Sequence, residues 1–299
     1  MKEELTGLLV IDKPQGVTSR DVVNRVQSAL KVKRCGHAGT LDPLATGVLV
    51  VCVGRATRLV SFVQQMKKYY RGSFRFGLTS DTDDIEGEVQ EVSHFALPER
   101  SLVEDALNSF VGNIQQVPPK YSAVMVSGKR AYDLARQGKT FELQAREVQI
   151  ERVELLEYNP PDWTIDLECG SGTYVRSLGR DLGEQFGCGA VMTALRRTAI
   201  GSFRAEQAIS WEELLRPDLS QRLRPSRDAV SHLPVLNVDD QTAKLLCHGR
   251  KIVFPELVHS DYSEVAVLDP SHQLICVAHR EESGLLKPKI VLQSNAGNE

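Results

Sequence analysis

The chain has 299 residues, 41% of them hydrophobic and 25% charged, a composition that suits a soluble globular protein of about two domains. Its net charge of −3 excludes a uniformly basic nucleic-acid-binding domain, so any such partner must be met by a local patch. Six scattered cysteines include no C-x-x-C pair, which removes zinc and dithiol readings, and the first apolar run (residues 8–11) is too short for a signal peptide or a membrane span, which predicts a cytoplasmic protein with reduced thiols.

Residues 7–12 predict a buried strand, broken by Lys13-Pro14-Gln15-Gly16. Thr18-Ser19-Arg20-Asp21 fits a helix-starting capping box, and Val22, Val23, Val26, Ala29 and Leu30 follow at helical spacing. A Gly-rich loop over 36–47 precedes a β-branched strand at 48–53. A helix is expected at 58–67, a strand at 70–78 and an amphipathic helix at 97–110. Pro118-Pro119 opens a segment that reads as an insertion projecting from the core. Strands at 147–156 and 163–169 lead through Gly170-Ser171-Gly172 to a helix at 175–186. Mixed helix and linker fill 211–232, and short strands at 264–268, 273–279 and 289–292 predict a small β-rich domain from about residue 233. The last residues, 294–299, are expected to be disordered.

Charge is unevenly placed along this plan. Between residues 115 and 146 stand Lys120, Lys129, Arg130, Arg136, Lys139 and Arg146, against only Asp133 and Glu142. A second basic cluster, Lys31, Lys33 and Arg34, comes just before the Gly-rich loop. Either alone reads as a solvated face, whereas two clusters flanking one candidate site favour RNA. The loop itself, GHAGTLDPLATGVLVV over 36–51, is too polar for a core element. Pro43 keeps Asp42 out of helical geometry, so a single carboxylate sits on a rigid loop between buried elements. The Asp-Pro dipeptide by itself would mean no more than a turn.

These residues together resemble the signatures of the TruB-type tRNA pseudouridine synthases. The loop around Asp42 is similar to that family's signature loop, and Asp12-Lys13-Pro14-Gln15-Gly16-Val17-Thr18-Ser19 to its N-terminal motif. Lys67-Lys68-Tyr69-Tyr70-Arg71, the run from Ser171 to Leu178, and Leu195-Arg196-Arg197 resemble three more of its motifs, in order, over roughly residues 7 to 205. The basic insertion resembles the family's RNA-gripping thumb, and the C-terminal part resembles its PUA-like module weakly.

The resemblance implies an α/β (α+β) catalytic domain over 1–232 on a mixed, mainly antiparallel sheet, with a thumb at 115–146 and a PUA-like RNA-binding domain at 233–299. It implies isomerisation of uridine to pseudouridine at position 55 in the T loop of tRNA, with no cofactor, no metal and no obligate protein partner, by a monomer. Asp42 becomes the catalytic carboxylate, Arg176 its ion-pair partner, and Tyr70 the ring that stacks on the target base. Strand alternation aims Tyr69 at the opposite face from Tyr70. Tyr174 and Leu195 become pocket walls, and His37 a group that stacks on tRNA. Lys13 is read as touching phosphate or supporting the loop, and Lys129 and Arg130 as gripping the RNA. Attack on C1′, addition to the base and a glycal route are all compatible with these groups. Two alternatives stand beside this one: a related synthase on another RNA, including guide-dependent relatives, and an RNA-binding protein that assists tRNA folding.

Other motifs fail on spacing. Asp81-Thr82-Asp83-Asp84 is followed by Ile85 and Glu86 where a calcium loop needs an oxygen ligand and glycine. Gly170-Ser171-Gly172-Thr173 lacks the Gly-Lys-Ser/Thr of a P-loop. Cys35-Gly36-His37 has nothing around it to support acyl transfer.

Overall fold

The computed structural model describes residues 5–257 and 261–292; the expectation for 294–299 lies outside them. The first half of the chain runs β1 (Gly7–Lys13), α1 (Ser19–Leu30), β2 (Cys35–His37), β3 (Thr46–Val53), α2 (Val60–Gln65), β4 (Lys68–Phe76), β5 (Leu78–Ser80), β6 (Val89–Glu91), α3 (Arg100–Asn108) and β7 (Gly112–Gln116). The insertion holds β8 (Met125–Val126), β9 (Lys129–Arg130) and α4 (Ala131–Arg136). The chain returns through β10 (Arg146–Asn159), β11 (Asp162–Cys169), α5 (Val175–Gln185), β12 (Ala190–Ile200) and β13 (Phe203–Arg204). The last part contains β14 (Val235–Asn237), α6 (Asp240–Cys247), β15 (Ile252–Val253), β16 (Glu264–Leu268), β17 (Leu274–Arg280) and β18 (Leu285–Val291).

Among the described residues the larger sheet has nine strands in the order β1-β3-β12-β4-β11-β10-β7, with β2 beside β3 and β13 beside β12. Its pairings are antiparallel except β12 with β3, which run parallel. This is a mixed, mainly antiparallel α/β fold. Along β11 the odd positions Trp163, Ile165, Leu167 and Cys169 are buried, and the even ones face outward. The buried face packs α3 and α5 around Trp163, which stacks on Phe74 at 4.3 Å and Phe76 at 5.2 Å. The outer face carries cross-strand pairs such as Arg71–Asp166 at 2.9 Å and Arg75–Asp162 at 2.7 Å. The second sheet, β14-β16-β17-β18-β15, shares an apolar cluster with the first: Ala266, Leu268, Leu274 and Val277 pack with Val10, Val48, Val50 and Phe62.

Helix α1 keeps its expected form, and several other elements differ from theirs. Helix α1 has the capping box at Thr18 and Asp21 and stops at Lys31, whose φ is 53°. The helix expected at 58–67 is a 3₁₀ turn (Gly54–Leu59) followed by the short α2. The strand at 70–78 starts earlier, at Lys68, and breaks at Gly77, where φ is 86°. β12, central in the sheet, and α6 have no counterpart in the sequence-based plan. β12 was hidden because two register shifts against β4 interrupt its alternation.

Gly183 shows how closely helix α5 packs. A Cβ there would lie 2.3 Å from the Ala190 amide nitrogen, and backbone cannot yield as a flexible side chain can. Gly183→Ala is expected to cost about 1–3 kcal/mol of stability, read as a lowered urea midpoint with an unchanged slope.

Candidate active site

Asp42 lies on the loop joining β2 to β3, and its side chain is 37% exposed. Arg176 comes from the first turn of α5, where helix geometry disfavours a cation, and only 5% of the residue is exposed. Two carboxylates compensate it. Nη2 lies 3.1 Å from Asp42 Oδ2, and Nη1 lies 3.3 Å from Asp84 Oδ2. The guanidinium also donates to the Thr82 carbonyl at 2.7 Å and the Tyr121 carbonyl at 3.0 Å. Asp84 is buried in turn, and its Oδ1 accepts from the Thr82 hydroxyl at 2.7 Å and the Glu86 amide at 3.0 Å. Asp84 thus holds Arg176 from behind, and Asp42 takes the side that opens to solvent.

A second set of contacts fixes the loop carrying Asp42. Lys13 is completely buried, and its ammonium donates to the carbonyls of Pro14 at 2.9 Å, Val17 at 2.6 Å and Pro43 at 3.3 Å. It supports the loop from inside, the second of the two roles considered for it, with its ammonium turned to backbone carbonyls. The buried Arg197 donates to the carbonyls of Val48 at 2.7 Å and Gly39 at 3.1 Å, and to the Tyr70 hydroxyl at 3.5 Å. Gly47 closes the loop at φ 99°, where a Cβ would stand 2.2 Å from the Arg197 carbonyl oxygen, so only glycine fits. The Ser19 hydroxyl and the Leu41 backbone bond each other at 2.9 and 3.0 Å.

These groups line one cleft of roughly 750 Å³, with Asp42, Tyr70, Thr82, Asp84, Tyr174, Arg176, Leu195 and Arg197 on its walls. Tyr70 is half-buried, and burial pushes its phenol above the usual range. Tyr69 points away and bonds Glu168 at 3.4 Å, with Arg204 over its ring. Burial likewise pushes up the Tyr174 phenol. Gln116 clamps the Tyr174 backbone, accepting from its amide at 2.8 Å and donating to its carbonyl at 3.1 Å. Arg130 reaches the rim of the cleft from the insertion; Lys129 is exposed beside it and lies outside the lining. His37 stands on strand β2, not on the free part of the loop, and is also outside the lining. Its pKa is lowered by burial and by Arg197 and Arg20.

Sequence reasoning missed Asp84, Thr82, Lys68 and Gln116, and gave Arg197 no role. Asp84 sat in an acidic run tested only as a calcium loop. Arg197 had a signal, an arginine at an inward strand position, masked by the irregular alternation of β12. Among the described residues no group of His, Cys, Asp and Glu is arranged to hold a metal ion.

The sequence model for the N-terminal domain of TruB family pseudouridylate synthase matches residues 27–175. A tRNA pseudouridine synthase B from Pseudomonas aeruginosa is 38% identical over 301 residues, covering 98% of each chain. The chain belongs to the TruB family of pseudouridylate synthases. Two C-terminal TruB models match residues 176–230 and 234–292. A Ruegeria relative of the same name is 43% identical over 251 residues, covering 82% of this chain and 83% of its own. The TruB fold extends to a solved Cbf5-Nop10-Gar1 complex, one chain of which superposes with a TM-score of 0.76 at 24% identity, over 97% of this chain and 86% of that one. No described helix is long and apolar enough to cross a membrane.

Lys13 gives the site a pH signature. Burial lowers its pKa from 10.5 to about 8. Between these values the unfolded chain keeps a proton that the folded chain has released, so Lys13 adds stability as pH rises. The stability of wild type minus that of Lys13→Met, from urea titrations, is expected to rise from pH 8 to pH 10. A constant gap would contradict the burial of a charged amine.

Proposed function

We propose that this protein converts one uridine of tRNA, position 55 of the T loop, to pseudouridine, with Asp42 as the catalytic carboxylate and no cofactor. The observation that carries this reading is the part-exposed carboxylate of Asp42, held on a loop braced by Lys13 and Arg197 and paired with a buried arginine, in a cleft of roughly 750 Å³. The choice of tRNA rests on the names of the relatives and on the resemblance of the motifs.

Isomerisation breaks the N1–C1′ bond, turns the base and forms a C5–C1′ bond. No electrons leave the system; C5 loses a proton and N1 gains one. Asp42 acts at the sugar or the base, and carboxylates do serve as nucleophiles at anomeric carbons. Arg176 keeps it aimed, and Asp84 keeps Arg176 in place. Tyr70 stacks on the base, a contact worth about 1–3 kcal/mol, with Tyr174 and Leu195 as walls. The base must leave its stack to reach this cleft. His37, outside the lining, is read as a contact to the surrounding tRNA.

The larger units follow from the same reading. Residues 1–232 form the catalytic domain, 115–146 the thumb that grips the T arm, and 233–299 an RNA-binding PUA-like domain. In this reading the protein acts in the cytoplasm as a monomer without an obligate protein partner.

With tRNA transcript tritiated at uracil C5, wild type is expected to release tritium from one T-loop uridine without added metal or cofactor. Asp42→Asn should lose roughly 10⁴-fold or more. Release by Asp42→Asn at the wild-type rate would refute the catalytic role. Neutralising Lys129 and Arg130 together is expected to weaken tRNA binding and reduce the slope of log Kd against log salt by about 0.7–0.9 per lost phosphate contact. An unchanged slope would remove them from the phosphate contacts.

A further inference from the structure

Lys68 begins β4, two residues before Tyr70, so both side chains point to the same face of the sheet. Both line the cleft, yet Lys68 is only 6% exposed. Its ammonium donates to the Gln64 carbonyl, and no carboxylate of the described residues pairs with it. Burial and the neighbouring Arg197 lower its pKa to about 8. The one titratable group that could balance it, Cys169, is itself pushed up to about 11 by burial and stays a neutral thiol. A desolvated cation without a counter-ion is costly unless something else compensates it. Arg176 has two carboxylates and Arg197 two backbone carbonyls; Lys68 donates to one backbone carbonyl, and it lines the same cleft as the ring proposed to stack on the base.

Resting on the uridine-isomerase reading, we infer that Lys68 is a further catalytic residue, donating a hydrogen bond to a uracil carbonyl oxygen as negative charge develops on it. In glycosidic cleavage the electron pair of the N1–C1′ bond passes to N1 and spreads onto O2 and O4, while Asp42 bonds C1′ or removes the 2′ proton. In the addition route the carboxylate bonds C6 and the electron pair of the C5–C6 bond becomes an enolate on O4. All three routes load O4, so donation by Lys68 to that oxygen is independent of the choice among them. No proton is transferred by Lys68, and the charge returns to carbon when C5 bonds C1′. A donor fixed in a water-poor cleft acts where charge accumulates, and loss of one such donor reduces rates by about 10²–10³-fold.

The test compares wild type, Lys68→Met and Lys68→Gln under single-turnover conditions, on tRNA carrying uridine or 5-fluorouridine at the target. Loss of the substrate nucleoside after nuclease digestion is the readout. Fluorine stabilises the uracil anion, so it should substitute in part for the missing donor. We expect Lys68→Met to be slower by about 10²-fold on uridine, distinctly less impaired on 5-fluorouridine, and within twofold of wild type in Kd. Lys68→Gln, which keeps one N–H donor and guards against a folding failure of the Met variant, should fall between. An unchanged rate, or an equal loss on both substrates, overturns the inference. A weaker Kd with a shallower salt dependence and a normal saturated rate also overturns it, placing Lys68 on a phosphate instead. Inactivity of wild type would sink the isomerase reading itself, whereas an active wild type with an indifferent Lys68 sinks only this assignment.

Discussion

A guanidinium buried at the start of a helix must be compensated, and the site is organised around that need. Leaving such a charge unpaired costs several kcal/mol. Arg176 draws its partners from three separate stretches of chain: the loop of Asp42, the turn holding Thr82 and Asp84, and the backbone of Tyr121 at the root of the insertion. Satisfying one charge therefore brings the carboxylate, the turn and the insertion to the same cleft. The arrangement is asymmetric. Asp84 is buried and saturated with hydrogen bonds, whereas Asp42 meets the same arginine from the open side. One carboxylate is enclosed, and the other stays open to the cleft.

The loop around Asp42 is held by cations that use no carboxylate at all. Lys13 and Arg197 donate to loop and strand carbonyls, which are acceptors the folded backbone leaves free at turns. The loop is thus held rigid by backbone acceptors, with no carboxylate among its braces. This matters because a catalytic group misplaced by an ångström loses much of its effect.

The sheet supplies the frame for these contacts. β3, β12, β4 and β11 lie side by side, so Asp42 before β3, Arg197 on β12, Tyr70 on β4 and Arg176 after β11 are neighbours across strands though far apart in sequence. The parallel β12–β3 pairing places Arg197 opposite Gly47, beneath the loop it braces. The outer face, laced with exposed arginine–aspartate pairs, adds little to stability pair by pair and keeps that face soluble.

Local chemistry determined much of this from the sequence alone. The Thr18 capping box, the buried strand before Lys13, the alternation of β11 and the constraint of Pro43 on Asp42 each depend on residues close in the chain, so they could be read directly. The motifs around Asp42, Tyr70 and Arg176 marked which residues to watch. What only the tertiary structure decided were the contacts between distant segments. Asp84 as the second partner of Arg176, Arg197 beneath Gly39, and Lys13 turned inward to Pro43 depend on strand order and register. β12 itself escaped notice because its bulges break the period-two pattern on which sequence reading relies. Buried charge is the common thread: which partner compensates a cation is set by where the chain folds back, and no local pattern encodes that.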